Sequence, residues 1–465
     1  MERRLYIGKI TFISSLGGLL FGFDMAVISG VLPFVQTQFD LSPSQEGWFV
    51  SSALLGAVMG VGLSGELCDR FGRRSLLFIA AILFLLSAIV STVLPTFTLL
   101  IIARILGGIG VGMASNAVPL YLSEIAPLKI RGRLVTCYQL AITFGILLAY
   151  LTNSGMLKLS GSFSDSSINE SYLGYIFKDE VWRGMFSVEI IPATLFLIGL
   201  VLVPESPRWL LQQGRVKEAI ATFSKLKDGS EMKQDLEELD VQKNDGINAY
   251  KTLFSKRLRR PLLIGVLLPL FSQFSGINAI IYYGPSILKD AGVSLNNALI
   301  GQIVLGTVNM LFTFIAVWKV DSLGRRPLYL VGSMCASISL FVTGYCFYEG
   351  MTQSLLLLLS ATIFLASFAF SIGPLKFVIA SEIFPDAIRG RALALSIMVM
   401  WIADTIVGQL TPIMFSTLGT SGAFWVFASF CLIAFIVVSK MVSETKGKSL
   451  EEIQEIYVDH KDENT

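Results

Sequence analysis

The sequence has almost no histidine, little charge and no ordered set of cysteines, and each shortage excludes a class of protein. One histidine, His460, occurs in 465 residues, and it stands in a charged tail. That removes a Ser/His triad, a histidine metal site and a histidine proton relay. The five cysteines (Cys68, Cys137, Cys335, Cys346 and Cys431) are odd in number, scattered and mostly set in apolar runs. They make neither a disulfide framework nor a zinc site. Charged residues are 15% of the chain, against roughly 25% in soluble globular proteins, too few to wet the surface of a soluble enzyme of this length. A net charge of +2 gives no electrostatic footprint for nucleic acid. No nucleophile–base pair or metal cluster is visible, so the reading is not an enzyme, with no cofactor and no metal.

What the chain has instead is apolar surface. Hydrophobic residues make up 53% of it and mean hydropathy is +0.68. The 41 glycines suit helices that pack closely in lipid. A membrane-crossing helix needs about 20 mostly apolar residues. Twelve candidate spans follow, at 7–31, 47–66, 75–94, 97–121, 132–152, 182–203, 261–288, 295–318, 327–348, 353–380, 391–415 and 422–442. Turn residues such as Pro95-Thr96 and Gly419-Thr420-Ser421-Gly422 separate runs that otherwise merge. The first run lacks a small-residue cleavage site and reads as a retained span.

Lysine and arginine set the orientation. With both termini cytoplasmic, the cytoplasmic segments hold thirty basic residues and the outer side holds four (Lys158, Lys178, Arg183 and Lys289). Arg104 and Lys376 remain inside spans. The segment 204–260 carries 12 basic and 9 acidic residues and has helical runs at Val216 to Leu226 and Glu231 to Leu239. The expected architecture is an all-α membrane protein of two six-helix bundles, 1–203 and 261–442, joined by a small cytoplasmic helical linker, 204–260, and followed by a cytoplasmic tail, 443–465. The short loops suit a bacterial inner membrane, and the chain is expected to work as a monomer in the bilayer.

The two halves repeat. Ser123-Glu124-Ile125-Ala126-Pro127 with Arg131-Gly132-Arg133 recurs 258 residues later as Ser381-Glu382-Ile383-Phe384-Pro385 with Arg389-Gly390-Arg391. Asp69-Arg70-Phe71-Gly72-Arg73-Arg74 recurs after 252 residues as Asp321-Ser322-Leu323-Gly324-Arg325-Arg326, and Gly22-Phe23-Asp24 aligns with Gly276-Ile277-Asn278. Internal repeats of this kind build secondary transporters, with substrate held near the midplane. The Gly- and Arg-rich turns can dock on the carboxylates Glu124 and Glu382, which end spans 4 and 10. Such contacts would form an inner gate that is closed in one state and open in the other. The alternative is that these charges are ordinary positive-inside anchors.

Two intramembrane charges stand out in the first half. Asp24 is 20 residues from Arg4, and Arg104 is 20 residues from Glu124, so both lie about 30 Å from their anchors at 1.5 Å per residue. They share one level on spans 1 and 4. A carboxylate inside a membrane is costly and usually functional; withdrawing the arginine would let Asp24 take up a proton. The aligned positions in the second half, Asn278 and Thr362, are neutral. The alternative is a permanent structural salt bridge. Lys376 and Asp404 are a second odd pair. Counting from Glu382 and Arg389 leaves about 13 Å of depth between them on straight helices. An ion pair then needs a bend at Gly373-Pro374, and otherwise Lys376 snorkels to the cytoplasm.

These motifs carry a family likeness. Gly17-Gly18-Leu19-Leu20-Phe21-Gly22-Phe23-Asp24, Val27-Ile28-Ser29-Gly30, the two Arg boxes, Arg104-x-x-Gly-Gly-x-Gly-x-Gly, Pro204-Glu205-Ser206-Pro207-Arg208-Trp209-Leu210, Gln273-Phe274-Ser275-Gly276-Ile277-Asn278 and Ser443-Glu444-Thr445-Lys446-Gly447 together resemble the sugar porter family of the major facilitator superfamily, nearest to bacterial xylose–proton symporters. The likeness runs from span 1 to the tail, with Ser443 where the final motif usually has Pro. It implies a proton-coupled symporter importing a monosaccharide or polyol by alternating access, with Asp24 as the proton site. Phe21, Gln139, Gln273, Asn278, Asn309 and Trp401 match family positions at the sugar. Neutral amides both donate and accept, and an aromatic face packs the C–H side of a ring. For any single amide in a span, an interhelical hydrogen bond is the competing reading.

The departures limit what the likeness implies about substrate. Ser272 stands in place of a Gln, Ile146 and Met400 in place of two more, Phe377 in place of a Trp and Asp404 in place of a cavity-facing Asn, while Lys376 is a charge that the pattern lacks. Phe377 and Asp404 are therefore added to the candidate sugar site. Rival functions are a uniporter, a carrier of a charged sugar derivative, and a sugar sensor on a transporter fold. Sensors resemble transporters with long tails, whereas about 23 residues follow the last span here.

Overall fold

The computed structural model describes residues 2–94, 96–127, 130–162, 174–226, 253–352 and 354–446, with 448, 452, 453, 456 and 457. Nearly all of them are helical. Helices α1 to α5 are Glu2–Phe39, Pro43–Phe71, Arg73–Val93, Phe97–Ile125 and Arg131–Ser162. Helix α6 is broken into α6a (Val181–Ser187) and α6b (Ile190–Val201), and α7 into α7a (Arg259–Phe274) and α7b (Ile277–Asp290). Helices α8 and α9 are Leu295–Leu323 and Arg325–Tyr348. Helix α10 is Leu355–Ser367 (α10a) and Gly373–Ile383 (α10b), joined by a wide π turn at Phe368–Ile372. Of the expected linker, the short helices Pro207–Gln212 and Val216–Leu226 are present; the run Glu231 to Leu239 lies outside the described residues.

Among the described residues, eleven helices are long and apolar enough to cross a membrane, where the hydropathy pattern predicts twelve. One of the eleven, Ile388–Met441, has 54 residues. A helix of that length would be about 81 Å long, more than twice the roughly 30 Å of a bilayer core. The resolution lies at Gly419, whose backbone (φ 73°, ψ 163°) is not helical. It folds the segment into α11 (386–418) and α12 (420–441), giving twelve spans. A single glycine makes the turn that four residues of the sequence announced.

The chain divides into two units, Met1–Lys243 with Leu295–Gly306, and Asn244–Ser294 with Thr307–Thr465. In the first, α2 and α4 approach so closely that glycine is required. A Cβ on Gly108 would stand 1.9 Å from the Ala53 carbonyl oxygen, and one on Gly112 would stand 2.2 Å from that of Ala57. Gly56 and Gly60 meet α4 in the same way, at 2.3 Å each. Two facing Gly-x-x-x-Gly pairs let the backbones touch, the close packing by which helices associate without a hydrophobic drive between them. The outward faces are apolar: Ile191, Leu195, Ile198 and Leu202 on and just after α6b are all more than half exposed. A helical stripe of that kind suits a surface that faces lipid.

Candidate functional site

In the first unit the structure brings Asp24 and Arg104 together. Each is 1% exposed, and the Arg104 Nη1 donates to Asp24 Oδ1 at 2.6 Å and to the Asp24 carbonyl at 3.3 Å. The equal depth counted along α1 and α4 is thus realised as contact. The pair is not saturated, since Asp24 Oδ2 and Arg104 Nε have no hydrogen-bond partner. The guanidinium also lies over the Phe186 ring, 5.9 Å from its centroid.

Three residues beyond Phe186 is a group that sequence reasoning missed. Glu189 caps α6b at the break in α6, is 1% exposed, and neither of its carboxylate oxygens accepts a hydrogen bond. It is close enough to feel the charges of both Asp24 and Arg104. Two buried carboxylates therefore lie near one guanidinium, which among the described residues bonds only to Asp24. The signal was available, because Glu189 is the one acidic residue in the apolar run 182–203, and a lone intramembrane carboxylate is a functional candidate.

The second unit holds a polar belt across the break in α7. Gly276 takes a left-handed conformation (φ 80°, ψ 14°) that separates α7a from α7b. The expected single helix 261–288 is therefore two, and Gly276 supplies the backbone conformation that a side chain would strain. Asn278 Nδ2 donates back across this break to Gln273 Oε1 at 2.9 Å and across to Asp404 Oδ1 at 2.6 Å. Tyr282 donates to Asp404 Oδ2 at 3.3 Å. Asp404 is 4% exposed and Gln273 5%. A carboxylate only accepts, which fixes the Asn278 amide with its NH2 toward Asp404 and its oxygen free to face elsewhere.

Lys376 follows neither course expected for it. It is 7% exposed, so it does not snorkel, and no ion pair joins it to Asp404 among the described residues. Its Nζ donates to Ser272 Oγ at 2.9 Å and lies 5.2 Å from the centroid of the Phe377 ring. The reason is local: α7a offers a hydroxyl within reach of the ammonium. Of the remaining sugar candidates, Trp401 is buried on α11 one turn before Asp404, Asn309 is buried on α8, Phe21 and Phe377 are half-buried, and Gln139 is exposed on α5.

The repeated boxes close at one end of each unit. Arg73 donates to Glu124 through Nε (3.2 and 3.1 Å) and Nη2 (3.0 Å), and its Nη1 reaches the Cys68 carbonyl at 3.1 Å and Asp69 at 3.4 Å. Ser206 also donates to Glu124. Glu205 receives the backbone N–H groups of Arg73, Arg74 and Ser206 at 2.8 to 3.1 Å. The turn glycine, Gly72 (φ 95°), leaves room for the Glu205 carboxylate, 2.4 Å from where its Cβ would be. Arg74 binds the carbonyls of Leu200 and Val201 at 3.1 and 3.0 Å, while Arg70 is exposed and stacks on Phe71.

The second unit copies this pattern. Arg325 donates to Glu382 at 3.0 Å, Thr445 Oγ1 to Glu382 at 2.6 Å, and the N–H groups of Arg325, Arg326, Thr445 and Lys446 to Glu444 at 2.8 to 3.1 Å. Gly324 (φ 90°) faces Glu444 as Gly72 faces Glu205. Arg326 binds the Ser439 carbonyl at 2.8 Å. Burial alone would raise the Glu444 carboxyl, but these four backbone donors outweigh it and hold it below the usual carboxylate range. Glu205-Ser206 and Glu444-Thr445, 239 residues apart, are thus a fourth repeated pair. Every one of these contacts stays within its own unit. Arg389 opens α11, its N–H bonding the Pro385 carbonyl at 2.9 Å. The side chains of Arg131 and Asp321 lie outside the described residues.

A twelve-span helical protein of two units, with buried charges and amides inside and ionic boxes at the helix ends, has the build of a membrane carrier. Comparison with known proteins makes this specific. The family described as Sugar (and other) transporter matches residues 10–457. An arabinose-proton symporter of Bacillus subtilis is 38% identical over 454 residues, covering 97% of this chain and 95% of the relative. A D-xylose-proton symporter of Escherichia coli is 38% identical over 484 aligned positions, covering 97% and 96%. Among solved structures, a partially occluded inward-open form of the E. coli xylose transporter superposes with a TM-score of 0.81 at 36% identity, covering 96% of this chain and 99% of that one. The chain belongs to the sugar transporter family.

Proposed function

We propose that the chain is a proton-coupled symporter that imports a neutral monosaccharide or polyol by alternating access. The observation that carries the reading is the buried trio Asp24, Arg104 and Glu189. If all three were charged, two carboxylates against one guanidinium would leave one uncompensated negative charge away from water, which is costly. One bound proton brings the cluster to neutrality, so the trio has the charge of a site for a single proton. The second unit has neutral Asn278 and Thr362 at the aligned positions, and this asymmetry suits one proton per cycle. The symporter names of the arabinose and xylose relatives support the same reading.

In the cycle, Asp24 and Glu189 exchange the proton when the site opens to one side, and Arg104 holds whichever carboxylate is ionised. The amide and aromatic residues Gln139, Gln273, Asn278, Asn309, Phe21, Phe377 and Trp401, with Asp404, hold the sugar. The boxes around Glu124 and Glu382 brace the ends of the helices that rock. Thirty of the 36 basic residues fall on the side that carries these boxes and the termini, which we assign to the cytoplasm.

Purified protein in proteoliposomes, given an inward proton gradient, is expected to accumulate one of radiolabelled L-arabinose, D-xylose, D-galactose or D-glucose against its concentration. Asp24→Asn is expected to abolish that accumulation while leaving sugar-for-sugar exchange. Uphill accumulation that survives in Asp24→Asn, or accumulation by wild type that ignores the gradient, defeats the proposal.

A further inference from the structure

The charges Lys376 and Asp404 do not neutralise one another directly, and their surroundings differ. Asp404 is held by two neutral donors, Asn278 at 2.6 Å and Tyr282 at 3.3 Å. Lys376 is 93% buried and makes a single hydrogen bond, to the Ser272 hydroxyl. An ammonium has three N–H donors and no acceptor, so two of them meet no acceptor in a buried place. Leaving such donors unmade is expensive. The cation–π contact with Phe377 at 5.2 Å steadies the charge without satisfying either N–H.

Ser272 and Gln273 are neighbours on α7a. Lys376–Ser272 and Gln273–Asn278–Asp404–Tyr282 are therefore two arms of one polar belt, spanning α7a, α7b, α10b and α11 within the second unit. The belt ends in a donor at one arm and an acceptor at the other. Asp404 has lone pairs beyond the two already used, since a carboxylate offers about four acceptor positions. The local charge is balanced, plus one and minus one. An anionic ligand drawn to Lys376 would meet Asp404, and a cationic one drawn to Asp404 would meet Lys376. A neutral diol gains from both, because each hydroxyl can accept at its oxygen and donate through its hydrogen.

We propose that Lys376 and Asp404 form a donor–acceptor clamp on two neighbouring hydroxyls of the transported sugar, the ammonium donating to one oxygen and the carboxylate accepting from the next hydroxyl. Lys376 is then a substrate-binding residue, and the clamp selects neutral sugars over sugar acids. The Asn278 amide, oriented by Asp404, turns its oxygen to a third hydroxyl. The proposal rests on the sugar-carrier reading above and adds which residues choose the sugar.

The test pairs protein variants with deoxy sugars in full-length purified protein. Calorimetry first identifies which of D-xylose, L-arabinose, D-galactose and D-glucose binds; binding of none overturns the carrier reading itself, and the clamp with it. The monodeoxy analogues of the binder are then titrated. One analogue is expected to lose about 10- to 150-fold in affinity, the range of one charge-assisted hydrogen bond. Lys376→Met should lose a similar factor for the parent sugar and show little further loss for that analogue. Asp404→Asn should behave likewise toward the analogue lacking the neighbouring hydroxyl. If the lysine variant does not fold, the wild-type deoxy series and Lys376→Gln decide: losses of less than threefold for every analogue overturn the clamp. Independent losses in variant and analogue overturn it, as does D-galacturonate binding more tightly than D-galactose.

Discussion

Glu124→Gln and Glu382→Gln remove the same carboxylate from two copies of one box, yet the losses should be unequal. The side chains of Arg73 and Glu124 are 6% and 7% exposed, those of Arg325 and Glu382 15% and 19%. Breaking one side of a buried ion pair leaves the other charge uncompensated, at about 3–5 kcal/mol. A glutamine carbonyl still accepts one N–H and recovers about 1 kcal/mol, which leaves roughly 2–4 kcal/mol for Glu124→Gln. In the second box water reaches the guanidinium, and the loss falls between buried and surface pairs, at about 1–2 kcal/mol. Thermal melts of the detergent-purified variants, side by side, should place Glu124→Gln clearly below Glu382→Gln. Ser206→Ala and Thr445→Ala, which each remove one hydroxyl donor to the same carboxylates, should lie between wild type and their glutamine partners. An equal or larger drop for Glu382→Gln would refute the burial reasoning.

Other outcomes follow from the same geometry. Gln139→Ala, Gln273→Ala and Asn278→Ala should each weaken sugar binding by about 1–3 kcal/mol, or roughly 5- to 150-fold; unchanged affinity in all three, by calorimetry, removes the site. Glu444 is held below the ordinary carboxylate value, near 4.3, so its contribution is present at neutral pH and lost as pH falls through the lowered value. The melting gap between wild type and Glu444→Gln should therefore be flat from pH 7 to about 5 and close below about 4; a gap that grows on acidification contradicts this. Gly276→Ala should destabilise the protein and weaken sugar binding, because its φ is 80° and its Cβ would lie 2.5 Å from the Phe427 ring; a melt and a titration indistinguishable from wild type would show that the break in α7 is not built on this residue.

Helical geometry explains which parts could be read in advance. A rise of 1.5 Å per residue puts Asp24 and Arg104 at one depth, and both helices run unbroken from anchor to charge, with Pro119 accommodated inside α4, so the two side chains meet. The same count could not find the partner of Lys376, because a depth estimate along one helix ignores an acceptor such as Ser272 on another. The Arg boxes announced Glu124 and Glu382 through their repetition. Their other partners, Glu205 and Glu444, were visible as motifs but not as partners, since only the folded chain brings residue 205 back to residue 73. The break at Gly276 was equally hidden, because 261–288 is long and apolar enough on average to read as one span despite the polar stretch Ser272 to Asn278. Glu189 was a lapse of weighting rather than of information: a carboxylate inside an apolar span is unusual wherever it stands.

Each box is closed by a dipeptide that follows the last span of its unit, Glu205-Ser206 after α6 and Glu444-Thr445 after α12. This matters to anyone who divides the chain to express the halves as separate polypeptides. A cut at Val203, where the hydropathy ends, would separate Arg73 and Arg74 from the carboxylate that receives their N–H groups. It would also take the Ser206 hydroxyl away from Glu124. A cut after Leu226 keeps the dipeptide, together with Trp209, whose indole N–H holds the Asp69 carbonyl at 2.9 Å. The natural edge of the first half is thus chemical rather than hydrophobic, some twenty residues beyond the membrane.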